Sequence, residues 1–215
     1  MNQKSSFKIF FLVASFLFLT FLVAKQVMRP IDLSVTQWVQ GFGSRKLDIT
    51  MSLFTLLGSI EFSSFAILVV TWYWYRKHEW AGAFLYLFLF AAFSLLELIW
   101  KHLVAYTGPG LEFNRNPFHW GLLSLEAPYS FPSGHTFRSV FLFGMCYQWI
   151  NRNGVQFNWK LAAQKILLIG LIFVVCFSRI YLGDHWLSDV IGGFLLAILG
   201  LTLASEIPHP ELRPA

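Results

Sequence analysis

The stretch SFPSGHTFRS (residues 130–139) stands immediately before a strongly apolar segment of a 215-residue chain. It places a proline, a small hydroxyl side chain, a glycine and a histidine together where a helix is expected to begin. Ser133 can act as a helix N-cap, because its side-chain oxygen can accept a hydrogen bond from a backbone N–H of the first turn. A cap does not require His135 beside it. The stretch therefore indicates a functional site at the start of a hydrophobic helix.

The composition indicates a membrane protein. Hydrophobic residues make up 56% of the chain and charged residues only 13%, with a mean hydropathy of +0.59. These values are too apolar for an ordinary soluble domain. The net charge of +5 comes with no basic cluster and no RNA-binding motif, so we expect the lipid bilayer, and no nucleic acid, as a partner.

Six apolar segments are long enough, or nearly long enough, to cross a bilayer, which takes about 20 residues. We expect the first segment to be a retained anchor rather than a cleaved signal peptide, and the whole chain (1–215) to be a single domain. All eight prolines lie outside the six segments, and the tryptophans lie near their ends or in connections. The sequence therefore predicts an all-α, integral membrane bundle of six transmembrane helices, at residues 7–24, 51–73, 81–100, 136–150, 161–177 and 186–204.

Two further stretches carry polar residues at segment ends: WKHLVAYTGPGLEF (100–113) and FSRIYLGDHWLSDV (177–190). No membrane crossing separates Lys101 from His135, and two crossings separate His135 from Arg179. The three stretches should therefore open on the same face of the membrane. Basic residues are divided equally between the two sides, so the positive-inside rule does not decide which face this is.

The three stretches together resemble the signature of the type 2 phosphatidic acid phosphatases. The matching elements are Lys101 followed by Gly108-Pro109, then Pro-Ser-Gly-His ending at His135, then Ser-Arg-x5-His-x3-Asp ending at Asp189. That family includes undecaprenyl-diphosphate phosphatases, phosphatidylglycerophosphatases, glucose-6-phosphatase and vanadium haloperoxidases. The resemblance is strongest over residues 101–189 and departs at Gly108, where the family usually has arginine.

The spacing of the third stretch suggests a nucleophile. His185 and Asp189 are four residues apart at a helix start, so they share one helix face, and the carboxylate can hold one imidazole nitrogen while the other stays free. The resemblance implies that His185 attacks phosphorus to form a phosphohistidine, and that His135 protonates the leaving group and then activates water. Taken alone, such a pair is more often a structural hydrogen-bonded pair or a partial metal site than a nucleophile.

The resemblance also implies a phosphate-binding set. Arg179 and Lys101 would neutralise phosphate oxygens, while Ser133 and the Gly134 backbone N–H would donate hydrogen bonds to them. Because the charges come from side chains, the scheme implies no metal and no other cofactor.

Four neighbouring residues are candidates for supporting roles. The arginine missing at Gly108 could be replaced by Arg138, which follows His135 by three residues, or by Arg115 in the next connection. Glu97 precedes Lys101 by four residues and could aim it or simply pair with it. We expect Asp184 to cap the last helix.

The predicted function is a multi-pass inner-membrane enzyme with its active site on the extracytoplasmic face. It would remove a terminal phosphate from a lipid phosphate, with undecaprenyl diphosphate as the leading substrate and phosphatidylglycerophosphate and phosphatidic acid as alternatives. A lipid phosphotransferase that uses the same histidine and a non-catalytic lipid binder are the other interpretations. The oligomeric state does not follow from the sequence.

Overall fold

The computed structural model describes residues 3–118, 128–153 and 158–206. Within these residues the secondary structure is entirely helical, as predicted, and two single 3₁₀ turns (Leu56–Gly58 and Leu111–Phe113) accompany the α-helices. The α-helices are α1 Gln3–Ala24, α2 Arg29–Gln40, α3 Arg45–Thr55, α4 Ile60–Arg76, α5 Trp80–Val104, α6 Gly134–Asn153, α7 Trp159–Tyr181 and α8 Leu187–Glu206.

The number of membrane spans differs from the sequence-based count. Among the described residues, α1, α5, α7 and α8 are each long and apolar enough to cross a membrane. Helices α3 and α4 qualify together as a fifth span that is bent by 48°. Helix α6 does not meet the same criterion, so six spans remain a prediction.

The low hydropathy of α6 follows from its central place in the bundle. It packs against α7 and α8 and also contacts α4 and α5. Phe137 and Phe141 are fully buried, and the buried Thr136 and Ser139 lie among them on the same helix. By contrast, α1 and α7 expose large apolar side chains on their outer surfaces, including Phe10, Phe18, Ile166 and Phe173. A helix that is covered by other helices does not have to present apolar surface to lipid.

The predicted second segment (51–73) is broken rather than continuous. A 3₁₀ turn at Leu56–Gly58 separates α3 from α4, and Ser59 caps the new helix by accepting a hydrogen bond from the Phe62 N–H. A Cβ atom at Gly58 would lie 2.7 Å from the carbonyl oxygen of His135. The break therefore brings backbone up to the start of α6.

Helix α2 lies outside the predicted segments. It contains Pro30 in its first turn, where proline costs no helix hydrogen bond. Its buried residues Asp32, Thr36 and Val39 form one face, and the helix contacts α7 and α8. The amphipathic pattern explains why an apolar-segment search does not identify it.

The helix ends determine where the three polar stretches meet. Helices α5 and α7 end, and α6 and α8 begin, at the same end of the bundle. Backbone hydrogen bonds connect the stretches directly, from Ser130 N–H to Tyr106 O (2.8 Å) and from Ser133 N–H to Asp189 O (2.9 Å).

The α6–α8 contact depends on Gly193. A Cβ atom there would overlap the carbonyl oxygen of Ser133 and lie 3.1 Å from Thr136 Cβ. Gly193→Ala should therefore destabilise the protein by about 1–3 kcal/mol, the usual cost of overpacking, and lower the thermal midpoint in detergent.

Gly170→Ala is the matched control, because a Cβ atom at Gly170 meets nothing within 4 Å. We expect that variant to be neutral or slightly stabilised by helix propensity. Equal midpoints for the two alanine variants would contradict the packing argument.

Candidate active site

The start of α8 orients His185. The Asp189 carboxylate is fully buried and accepts a hydrogen bond from the Trp186 backbone N–H at 2.9 Å. The same Oδ2 atom lies 3.3 Å from His185 Nδ1. Asp189 thus caps its own helix and also fixes the imidazole, as in the carboxylate half of a capping box. The Asp189 carboxylate contacts Nδ1, so Nε2 is the His185 ring nitrogen that stays available to a substrate.

Burial and positive neighbours keep His185 neutral. Its side chain lies in the loop before α8, where desolvation lowers its pKa well below the ordinary value. The charges of Arg179, Lys101 and Arg138 lower that pKa further. A neutral imidazole with Nδ1 held by a carboxylate has a free lone pair on Nε2.

Arg179 is buried at the end of α7. Its Nη1 atom donates to Thr55 Oγ1 at 2.6 Å and lies 2.9 Å from Asp184 Oδ2. In the part of the chain that the structure describes, Arg179 Nε has no hydrogen-bond partner. The expected helix cap at Asp184 is wrong, because that carboxylate pairs with Arg179 and Asp189 takes the capping role.

Glu97 joins two of the three stretches. Its carboxylate is 2.8 Å from Lys101 Nζ and 3.9 Å from Arg138 Nη1. The first contact is the i,i+4 pair that the spacing indicates. Gly134 makes the second possible, since a Cβ atom there would lie 2.8 Å from both Arg138 Nη1 and Glu97 Oε1.

Arg138 contacts the histidine of the second stretch. Its Nη2 atom lies 3.5 Å from His135 Nδ1, and its Nε donates to the Gly58 carbonyl at 3.0 Å. The helix break between α3 and α4 therefore holds Arg138 through Gly58 and Arg179 through Thr55.

Arg115 occupies a different environment. It contacts both oxygens of the Asp48 carboxylate, at 2.9 and 3.2 Å, and its guanidinium lies 5.5 Å from the centre of the Tyr181 ring. Its hydrogen bonds with Asp48 raise its pKa above the ordinary value. Gly108, by contrast, adjoins the cluster: a Cβ atom there would lie 3.3 Å from Ser130 Cβ and 3.9 Å from the Asp184 carbonyl oxygen.

Some of the hydrogen-bonding groups at the start of α6 are already paired within the protein. Ser133 Oγ accepts from the Thr136 N–H at 3.4 Å, as expected for an N-cap. The Ser133 N–H is engaged with the Asp189 carbonyl. The Ser133 hydroxyl hydrogen and the Gly134 N–H are among the donors of this helix start that the described contacts leave for a ligand.

Sequence reasoning missed the contributions of the first four helices. Asp32 in α2 is fully buried and accepts hydrogen bonds from the Ser188 N–H (2.8 Å), the Ser188 hydroxyl (2.6 Å) and the Tyr106 hydroxyl (3.0 Å). It ties the start of α8 to the connection after α5. The only signal in the sequence is a lone aspartate two residues after a proline, which does not identify a partner more than 150 residues away.

Comparisons with known proteins identify the family of this chain. The sequence model of the PAP2 superfamily matches residues 82–213. Phosphatidylglycerophosphatase B of Bacillus subtilis (strain 168) is 30% identical over 156 residues, which cover 71% of each chain. The putative undecaprenyl-diphosphatase YbjG of Escherichia coli (strain K12) is 32% identical over 88 residues, covering 41% of this chain and 39% of that protein.

Two solved structures share the fold. The transmembrane PAP2-type phosphatidylglycerolphosphate phosphatase from Bacillus subtilis aligns with a TM-score of 0.77 and 22% identity, over 93% of this chain and 94% of that one. LpxE of Aquifex aeolicus aligns with a TM-score of 0.59 and 19% identity, over 82% and 95%.

The fold and the family match define a membrane phosphatase. The chain belongs to the PAP2 superfamily, and its class of enzyme is that of the lipid phosphate hydrolases.

The Asp32 contacts generate a stability prediction. Asp32→Ala would leave the Ser188 N–H and the two hydroxyl groups without their acceptor, and a buried donor that loses its partner costs about 1–3 kcal/mol. The thermal midpoint in detergent should fall accordingly.

Ser34→Ala in the same helix is the control, because Ser34 is exposed and its hydroxyl donates only to the Pro30 carbonyl of its own turn. A midpoint for Asp32→Ala as high as that of the control would contradict the anchoring role.

Proposed function

We propose that this protein removes the terminal phosphate of a membrane lipid phosphate through a phosphohistidine at His185. The observation that carries the proposal is the buried His185–Asp189 pair within electrostatic reach of Arg179, Lys101 and Arg138. A neutral nucleophile and several cations are what phosphoryl transfer needs, because that reaction depends mainly on positioning and charge stabilisation.

In the first step, His185 Nε2 attacks phosphorus and the bond from phosphorus to the lipid oxygen breaks. Asp189 stabilises the imidazole as it becomes positive, since its carboxylate already faces Nδ1. His135 donates a proton to the departing oxygen. His135 lies at the start of α6, where its Nδ1 atom is 3.5 Å from Arg138 Nη2, and the negative charge of a bound phosphate would offset that of the guanidinium.

In the second step, water attacks the phosphohistidine. His135, now without its proton, accepts one from that water, and the nitrogen–phosphorus bond breaks to release inorganic phosphate. Both histidines return to their starting state, so the cycle needs no further reactant.

The phosphate oxygens would be held by side chains and by the start of α6. Arg179 brings a buried Nε donor that has no partner among the described residues. Lys101 supplies a second positive charge, and the Ser133 hydroxyl and Gly134 N–H add donors at a helix N-terminus. Because cations already surround the phosphate, we propose that the reaction needs no metal ion.

The named relatives favour two lipid substrates. Phosphatidylglycerophosphate comes first, because phosphatidylglycerophosphatase B matches over the larger share of this chain. Undecaprenyl diphosphate, the substrate favoured by sequence reasoning, is the second candidate because of the match with YbjG. The topology of the motifs supports a site on a single face of the membrane, and we further propose that this face is the extracytoplasmic side of the inner membrane.

The decisive experiment measures phosphate release by the detergent-purified protein from phosphatidylglycerophosphate, undecaprenyl diphosphate and phosphatidic acid, with and without EDTA. We expect release from at least one of them, unchanged by EDTA. His185→Ala should abolish it, because no neighbouring group can replace the nucleophile.

His78→Asn is the control, since His78 lies in the turn between α4 and α5 and asparagine tolerates its positive φ of 65°. Release by His185→Ala at a rate near that of the control would overturn the phosphohistidine mechanism. If EDTA abolishes phosphate release and added magnesium restores it, the metal-free scheme is wrong.

The missing arginine at Gly108 leads to a second prediction. Arg138 contacts the His135 ring, whereas Arg115 is held by Asp48. Arg138 is therefore the better substitute. Arg138→Ala should lower turnover by about 10²-fold, the scale of one preorganised electrostatic contact, while Arg115→Ala should change it much less.

Adding Gly108→Arg to the Arg138→Ala variant distinguishes a charge role from a structural one. The double variant should recover part of the turnover, because position 108 adjoins the cluster. Unchanged turnover in Arg138→Ala would contradict the substitution, and an absence of any recovery would show that Arg138 acts by holding the helix break.

A further inference from the structure

Asp184 contacts Nη1 of the Arg179 guanidinium, the group that the proposed function assigns to phosphate. Asp184 Oδ2 lies 2.9 Å from Arg179 Nη1. A carboxylate at this distance presents the same kind of acceptor that a phosphate oxygen would present. Asp184 is therefore placed to compete with the substrate and with the product for one cation.

The backbone of the α7–α8 connection directs Asp184 to this position. The N–H groups of Asp184 and His185 both donate to the Arg179 carbonyl at 3.1 Å. Gly183 has a φ of +72°, and a Cβ atom there would overlap the Phe113 carbonyl oxygen. The loop thus folds back on Arg179 in a conformation that requires glycine. The ion pair follows from this local fold.

The carboxylates of the cluster differ in their access to solvent. Glu97 and Asp189 are at most 1% exposed; Glu97 pairs with Lys101 of its own helix, and Asp189 accepts a hydrogen bond from the Trp186 N–H just before α8. The Asp184 side chain is 23% exposed, against 8% for the Arg179 side chain that it contacts. Moving a charge into water is least costly for a group that is already partly hydrated. Of these three carboxylates, Asp184 is therefore the one that can move from its cation into water at the lowest cost.

A phosphate that binds Arg179 through Nε, which has no partner among the described residues, meets the Asp184 carboxylate at the same guanidinium. Thr55 and Asp184 share the Arg179 Nη1 atom, and a phosphate oxygen near the same guanidinium would lie close to the Asp184 carboxylate. Like charges at such a distance repel strongly in a poorly hydrated site. Binding of a phosphate anion therefore involves an exchange of anions on Arg179.

We propose that Asp184 is a displaceable counter-ion of Arg179, which weakens the binding of inorganic phosphate and thereby favours product release. This inference rests on the proposed function, because it assigns Arg179 to the phosphate. The binding free energy of a lipid substrate includes apolar contacts of its hydrocarbon chains, so it is less sensitive to competition from Asp184. The binding of free phosphate depends on charge alone. The effect should therefore be larger for the product than for the substrate.

The test compares the wild type with Asp184→Asn, which keeps the shape of the side chain and removes its charge. The dissociation constant for inorganic phosphate is measured by isothermal titration calorimetry on the detergent-purified protein. We expect Asp184→Asn to bind phosphate about tenfold more tightly or better, which corresponds to about 1.4 kcal/mol or more. The inhibition constant of phosphate against lipid hydrolysis should fall by the same factor.

Two further variants separate the ion pair from general effects. Glu112→Gln removes an exposed carboxylate from the α5–α6 connection and should leave the phosphate dissociation constant within about twofold of the wild type. Asp184→Glu keeps the charge and should bind phosphate more weakly than Asp184→Asn. If Asp184→Asn does not fold, Asp184→Ser serves as the charge-removing variant, with the same tighter binding expected.

The outcomes distinguish this inference from the proposed function. Equal or weaker phosphate binding in the charge-removing variants would overturn the counter-ion role, even if the wild type hydrolyses lipid phosphates. An equal gain in Glu112→Gln would also overturn it, since the effect would then be one of net charge. Absence of lipid hydrolysis in the wild type would overturn the proposed function, while the binding comparison would still decide whether Asp184 competes with phosphate.

Discussion

The buried carboxylate of Glu97 is the counter-charge on which the rest of the cluster depends. It lies between Lys101 of its own helix and Arg138 of α6, and it is 1% exposed. Two cations cannot be brought together in a poorly hydrated place without a nearby anion. Glu97 therefore allows the first and second stretches to meet. Gly134 allows the same contact sterically, because any side chain there would collide with Glu97 and Arg138.

The helices that precede the family match complete this cluster. The match begins at residue 82, yet Thr55 and the Gly58 carbonyl hold Arg179 and Arg138, and Asp32 anchors the start of α8. Each of these contacts fixes the orientation of a group that belongs to one of the three polar stretches. A long guanidinium side chain has many rotamers, and ordering it has an entropic cost that fixed acceptors offset. The orientation of the site therefore comes from α2 and from the break between α3 and α4.

The break in the predicted second span has the same origin. The 3₁₀ turn at Leu56–Gly58 interrupts a segment that is apolar enough to be one helix, and α6 carries buried polar residues in its first turns. Backbone that departs from a regular helix at membrane depth is tolerated where protein surrounds it. Here Arg138 donates a hydrogen bond to the Gly58 carbonyl, which the break leaves without a helix partner among the described residues.

Several features follow from the sequence alone. Composition and apolar segments indicate an all-helical membrane protein, and the parity of the segments places Lys101, His135, Arg179 and His185 at one end of the bundle. The four-residue spacings predict the Glu97–Lys101 contact, which is an i,i+4 pair on α5, and the His185–Asp189 contact, although His185 lies in the loop just before α8. These are local or topological facts, and local geometry is encoded in residue spacing.

Only the tertiary structure decided the contacts between distant residues. The partner of Asp184 was predicted wrongly, since a residue beside a helix start is normally read as its cap, whereas the loop turns Asp184 back onto Arg179. Arg115 pairs with Asp48, 67 residues earlier in the chain, and Asp32 pairs with Ser188, 156 residues away. A buried charge takes whichever partner the packed helices bring within reach, and the spacing of residues along the chain does not specify that partner.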